Sequence, residues 1–75
     1  MSIFDMDIGE RAKIVQIHAS SELKLRLQSL GLARGVDIEV REFALGRQNV
    51  ELDVEDTLVG LRIEEMKMIE VEKTS

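Results

Sequence analysis

Beyond Gly35 the chain alternates: Val36, Ile38 and Val40 interleave with Asp37, Glu39 and Arg41, and Val50, Leu52 and Val54 interleave with Glu51, Asp53 and Glu55. A period of two puts each apolar set on one strand face and each charged set on the other. Two antiparallel strands with one buried side are therefore expected near residues 36–43 and 49–54. Leu45-Gly46-Arg47-Gln48-Asn49 supplies the hairpin loop between them. A strand near 57–63 carries Val59 and Leu61 in phase, and another near 68–72 carries Ile69 and Val71 between Glu70 and Glu72. Glu64-Glu65-Met66 makes about one helical turn between those two. Upstream, Ala12, Ile14 and the Val15 to Ile17 stretch after the Gly9 turn give a first strand near 12–18.

The period lengthens once. Ser20 or Ser21 can cap a helix near 21–30, and Glu22 places a carboxylate at the positive end of its dipole. Leu23, Leu27 and Leu30 fall at i, i+4 and i+7 and form one stripe that must face a core. Gly31 can take the left-handed conformation that closes a helix, and Leu32 can fold back on the last turn as a Schellman stop. Five short strands and one inserted helix share a single core most simply if the sheet curls into a small barrel. The expectation is a mainly β fold forming one domain over residues 1–75. At this length only about 60% of the unfolded chain's surface is buried on folding, so every inward position counts.

Charge and composition narrow the function. Fifteen acidic against ten basic residues give a formal charge of -5, which repels a phosphate backbone. Two Phe, no Tyr and no Trp leave no platform for stacking bases and no aromatic groove for a proline-rich peptide. Nucleic acid is not the expected partner. The absence of cysteine excludes disulfides and thiolate clusters and points to a reducing, cytoplasmic setting. No apolar run approaches the roughly 20 residues of a spanning helix. Leu45-Gly46-Arg47 is too short for a phosphate-binding loop, so neither nucleotide nor other cofactor is expected. His18 near Ser20 and Ser21 has no oriented partner that would make a nucleophilic centre, and no catalytic residue is assigned. As the only imidazole, His18 is one histidine short of a two-His-one-carboxylate iron site, and it reads as structural or solvent-exposed. The carboxylates of Glu51, Asp53, Glu55, Asp56, Glu70 and Glu72 read as a solvated strand face.

Apolar residues out of phase with the core say more. Leu25 lies nearly opposite Leu23, Leu27 and Leu30 at about 100° per residue, flanked by Lys24 and Arg26. Phe43 and Leu45 break the alternation of their strand, Leu58 is out of phase with Val59 and Leu61, and Met68 with Ile69. A β-bulge near Glu42 would return Phe43 to the core. A group of such residues left outside marks a contact surface. The candidate partner-binding set is Lys24, Leu25 and Arg26 on the helix with Phe43 and Leu45 in the hairpin.

Three blocks carry a resemblance to a known family. Ile3-x-x-Met6-x-x-Gly9-Glu10 with Ala12-Lys13-Ile14 opens the chain, and Leu23-Lys24-x-Arg26-Leu27-x-x-Leu30-Gly31-Leu32-x-x-Gly35-x-x-Ile38-x-Val40 follows. Val59-Gly60-Leu61-Arg62 and Glu65-Met66-x-x-Ile69-x-Val71 close it. Together they resemble the FeoA family over nearly the whole chain, the central block being the most specific. The loop over 43–49 departs from that pattern, lacking the prolines that family members often carry. The resemblance implies a small five-stranded SH3-like barrel with one inserted α-helix. It also implies a non-enzymatic role beside FeoB, the Fe(II) permease with a cytosolic GTPase domain. A similar barrel is appended to iron-dependent repressors of the DtxR type, whose DNA-binding and metal-binding domains this chain has no room for. The competing expectation is a direct Fe(II)-binding carrier or sensor.

Overall fold

Strand formation follows the alternation closely in the computed structural model, which describes residues 1–74. Strand β1 spans Arg11–Ile17, helix α1 Ser21–Ser29, β2 Asp37–Ala44, β3 Asn49–Val54, β4 Thr57–Arg62, helix α2 Ile63–Met68 and β5 Ile69–Lys73, after a 3-10 turn at Ile3–Asp5. The strands form one antiparallel sheet in the order β4-β3-β2-β1-β5. Their inward residues, among them Ile14, Val40, Leu52, Leu61 and Ile69, meet in one buried cluster.

Two irregularities set the phase of the sheet. The pairing of β2 with β3 shifts between Val40 and Glu42, so Phe43 comes opposite Val50 and packs on the core. That is the bulge expected from the broken alternation. A second shift, between Ile14 and Gln16 in β1, buries both Ile14 and Ile17 although they are three residues apart.

Helix α1 lies against the core through Leu27, fully buried, and Leu23, partly so. Leu30 departs from the expected stripe: it is 37% exposed. The cause is the helix stop. The N–H of Leu32 donates to the Leu27 carbonyl at 3.0 Å and that of Gly31 to the Gln28 carbonyl at 3.0 Å, the two bonds of a Schellman motif. Gly31, at a φ of 95°, makes the reversal. Leu30 is thereby left at the cap and Leu32 is driven into the core, where it is fully buried.

The first ten residues, assigned no element from their pattern, supply Ile3 and Met6 to the core. Arg47 in the β2–β3 loop holds this segment. Its guanidinium donates to the carbonyls of Phe4 at 3.1 Å and Met6 at 2.6 Å and lies 4.0 Å from the Phe43 ring centroid and 5.8 Å from that of Phe4. The chain's two aromatic side chains thus share one cation. Met1 and Ser2 then pair with β5: the N–H of Val71 donates to the Met1 carbonyl at 2.7 Å, and Ser2 bridges to Glu70. The end of β5 is tied back by Lys73, whose ammonium bonds the Glu10 carboxylate.

Truncating Leu27 to Ala removes the side chain that docks α1. Urea denaturation should register a loss of about 2–4 kcal/mol, whereas Leu30→Ala at the exposed cap should cost less than about 1 kcal/mol. The Glu10 contact predicts a pH dependence. Hydrogen bonds from Lys73 and from the Asp7 N–H hold the Glu10 carboxyl below its ordinary range. A depressed carboxyl stabilises the fold above its unfolded value, and that contribution disappears as pH falls through the folded one. Tm should therefore fall below about pH 4.5, and Glu10→Gln should reduce the difference between Tm at pH 7 and at pH 3. Lys73 is raised by the same bond, so its contribution is present at neutral pH and lost as pH climbs above its ordinary value of 10.5.

Candidate partner-binding surface

Helix α1 starts where Ser20 Oγ accepts the N–H of Leu23 at 3.3 Å. With Leu27 inward, the opposite face carries Leu25, 66% exposed. Lys24 is half-buried and lines a groove of about 260 Å3 with Gln16, Gln28 and Arg34. Neither Lys24 nor Arg34 has a carboxylate within ion-pairing distance among the described residues.

Arg26 has a second task that its position in the sequence does not reveal. Its guanidinium pairs with Glu65 of α2, whose side chain is 8% exposed. The other Glu65 oxygen accepts the N–H of Arg62 at 2.9 Å. A buried carboxylate is tolerated only when it is paired and hydrogen-bonded, and both conditions are met. Glu65 has a faint signal in the sequence: it stands three residues after Arg62, the capping-box spacing that opens α2. Arg26 therefore staples α1 to α2 while its own side chain remains 61% exposed beside Leu25.

The hairpin residues divide. Phe43 is half-buried under Arg47, whereas Leu45 is 74% exposed at the loop tip. Leu45, Gly46 and Arg47 all have positive φ, at 52°, 61° and 72°. Such a backbone costs a residue with a Cβ about 1–2 kcal/mol. Arg47 recovers this through its contacts with Phe4, Met6 and Phe43; at Leu45 the turn itself supplies a bond, the carbonyl accepting the Gln48 N–H at 3.1 Å, while the side chain stays exposed. Two shallow grooves of about 220 Å3 each adjoin at Asn49, Val50 and Gly60, one reaching Phe43 and the other Arg26. Leu25 and Leu45 line neither.

His18 lies on the surface with Nε2 2.8 Å from a Glu70 oxygen. That hydrogen bond holds the Glu70 carboxyl below its ordinary range. Asp53, Glu55 and Asp56 gather with Asp37, Glu39 and Arg11 around an open cleft of about 440 Å3. No group of three His, Asp or Glu side chains among the described residues is arranged to hold a metal ion. No helix among them is long and apolar enough to cross a membrane.

The comparisons with known proteins agree on the family. The FeoA domain model matches residues 1–73. A Campylobacter jejuni relative named Fe(2+) transport protein A is 31% identical over 71 residues, covering 95% of this chain and 96% of the relative. The solution structure of the Chlorobium tepidum FeoA protein superposes with a TM-score of 0.92 at 28% identity, over 100% of this chain and 71% of that one. Stenotrophomonas maltophilia FeoA, described as a prokaryotic SH3 domain protein and crystallised with zinc, matches with a TM-score of 0.81 at 24% identity, over 96% and 89% of the two chains. The curled five-stranded sheet is accordingly the SH3-like barrel that the resemblance implies. With a family model spanning all but its last residues, this chain belongs to the FeoA family, a family associated with ferrous iron transport.

Proposed function

We propose that this protein is a non-enzymatic, cytoplasmic accessory of ferrous iron uptake that docks on the cytosolic GTPase-bearing part of a FeoB-type permease through the outer face of α1. The observation that carries the reading is Leu25, 66% exposed on a helix whose opposite side is locked into the core. Lys24, Arg26 and Arg34 surround this helix on a protein of net charge -5. An apolar centre with a cationic rim suits a protein contact, and it is the region best able to approach an acidic partner surface. Family membership supplies the iron-transport context. The Stenotrophomonas protein has been put forward as a ferrous iron transport activating factor, which fits an accessory role. Strained and exposed at its loop tip, Leu45 is a second candidate contact, with Phe43 beneath the same loop.

The rival carrier or sensor reading would draw its ligands from His18 and Glu70, an exposed pair without a third donor arranged beside it among the described residues. It requires stoichiometric Fe(II) binding that His18→Ala abolishes; the docking reading expects no such loss.

Leu25→Glu should leave stability within about 0.5 kcal/mol of wild type, as exposed substitutions do, and weaken association with the permease's cytosolic domain by tenfold or more, on the order of 1.4 kcal/mol. Titration of that domain with the variant, with circular dichroism reporting its fold, decides the matter. Equal affinity would move the site to Phe43 and Leu45. The accessory reading also expects a flat titration of the isolated protein with a non-hydrolysable GTP analogue. Saturable micromolar binding would contradict it.

A further inference from the structure

The two edges of the sheet are treated differently. At β5 the outer edge is taken by Met1 and Ser2. At β4 no strand among the described residues pairs on the outer side, since β4 pairs with β3 alone. Val54 and Thr57 face each other across a two-residue turn in which Glu55 and Asp56 have φ of 50° and 70°. This is the primed turn that joins strands through a hydrogen-bonded closing pair. Bonded and non-bonded pairs alternate from there. Val59 and Leu61 therefore bond inward to β3, and Leu58 and Gly60 turn their N–H and C=O groups outward. The N–H of Arg62, next in that series, is already taken by Glu65.

Open edges are normally blunted by charge, proline or a bulge. Thr57-Leu58-Val59-Gly60-Leu61 contains no charge and no proline, and its register with β3 is continuous. Leu58 is 61% exposed. Gly60 has nothing among the described residues within 4 Å of where a Cβ would stand. The sheet row through Gly60 continues to Glu51 on β3 and Glu42 on β2. Like charges directly opposite one another destabilise a sheet, and neither carboxylate has a cation within ion-pairing distance among the described residues. The row lacks a cation, and glycine leaves space for one to reach across.

We propose that the outer edge of β4 binds an extended segment of a partner protein as a sixth, antiparallel strand, with a Lys or Arg opposite Gly60 extending over it to Glu51 and Glu42. Apolar residues on either side of that cation would continue the inward faces of Val59 and Leu61. A carboxylate two residues before it would meet Arg62, which shares the adjoining groove with Arg26. A second copy of this chain fits poorly. Antiparallel pairing about Gly60 would align two Glu42–Glu51 rows, on molecules each carrying -5. This edge meets the α1 face at the groove that Gly60 and Arg26 line together, whereas Leu25 lines neither groove beside the edge.

The probe is a capped peptide, Thr-Glu-Val-Lys-Val-Leu-Thr, titrated into the isotopically labelled protein. Its control is the isomer with Glu and Lys exchanged. The proposal expects saturable shifts centred on the Leu58 and Gly60 amides, slower hydrogen exchange at both, and affinity about tenfold lower for the isomer. Glu51→Lys should reverse that preference, while Leu25→Glu should leave it unchanged. Backbone N-methylation of the peptide at its Lys and Leu should abolish the shifts. The proposal is overturned if shifts lie elsewhere, if none saturate, if the N-methylated peptide or the isomer binds equally well, or if the same amides shift with protein concentration alone, which would assign the edge to a second copy.

Discussion

The anchoring of Leu27 determines what α1 shows to solvent. A helix of nine residues cannot be stable by itself, so its orientation comes from what it buries. Leu27 enters the core, the Schellman bonds to its carbonyl and that of Gln28 bring Leu32 in behind it, and Arg26 ties the helix to Glu65 from the side. These constraints fix the rotation of the helix. Leu25 is exposed because its neighbour two positions on is not free to turn.

The same economy governs the ends of the sheet. A chain of 75 residues with two aromatic side chains and no cysteine has little apolar volume to spend. It completes its core with segments outside the strands, Ile3 and Met6 from the N-terminal turn and Met66 from α2. Arg47 secures the first of these by stacking on Phe43 and Phe4 and bonding the carbonyls of Phe4 and Met6. A strained, left-handed backbone at Arg47 is retained because those contacts require it. Leu45, two residues earlier, has its backbone bonded within the turn, and it is the exposed apolar side chain there that invites a functional explanation.

The strands were legible because each carries inward apolar residues two positions apart: all five lie within about one residue of where the pattern puts them. The bulge at β2 was legible as well, since Phe43 could reach the core only by a change of phase. Leu30 was not, because periodicity carries no knowledge of where a helix stops, and the Schellman turn exchanged it for Leu32. The N-terminal turn lacked any period, and its burial depends on Arg47, more than 40 residues away. For the candidate surface, the sequence isolated Leu25 and Leu45 as exposed apolar residues. It could not show that Arg26 also neutralises a buried carboxylate, a pairing across 39 residues. The open edge of β4 left only the out-of-phase Leu58 as its trace, because edge position is a property of sheet order.

Whether α1 is the docking face is tested most directly by leucine-methyl NMR of this protein as the permease's cytosolic domain is added. The Leu25 methyl resonances should shift or broaden first and most, with those of the buried Leu27 and Leu52 following only through loss of tumbling. Leu25 methyls that remain unperturbed at saturation, while those of Leu45 or Leu58 respond, would contradict the account.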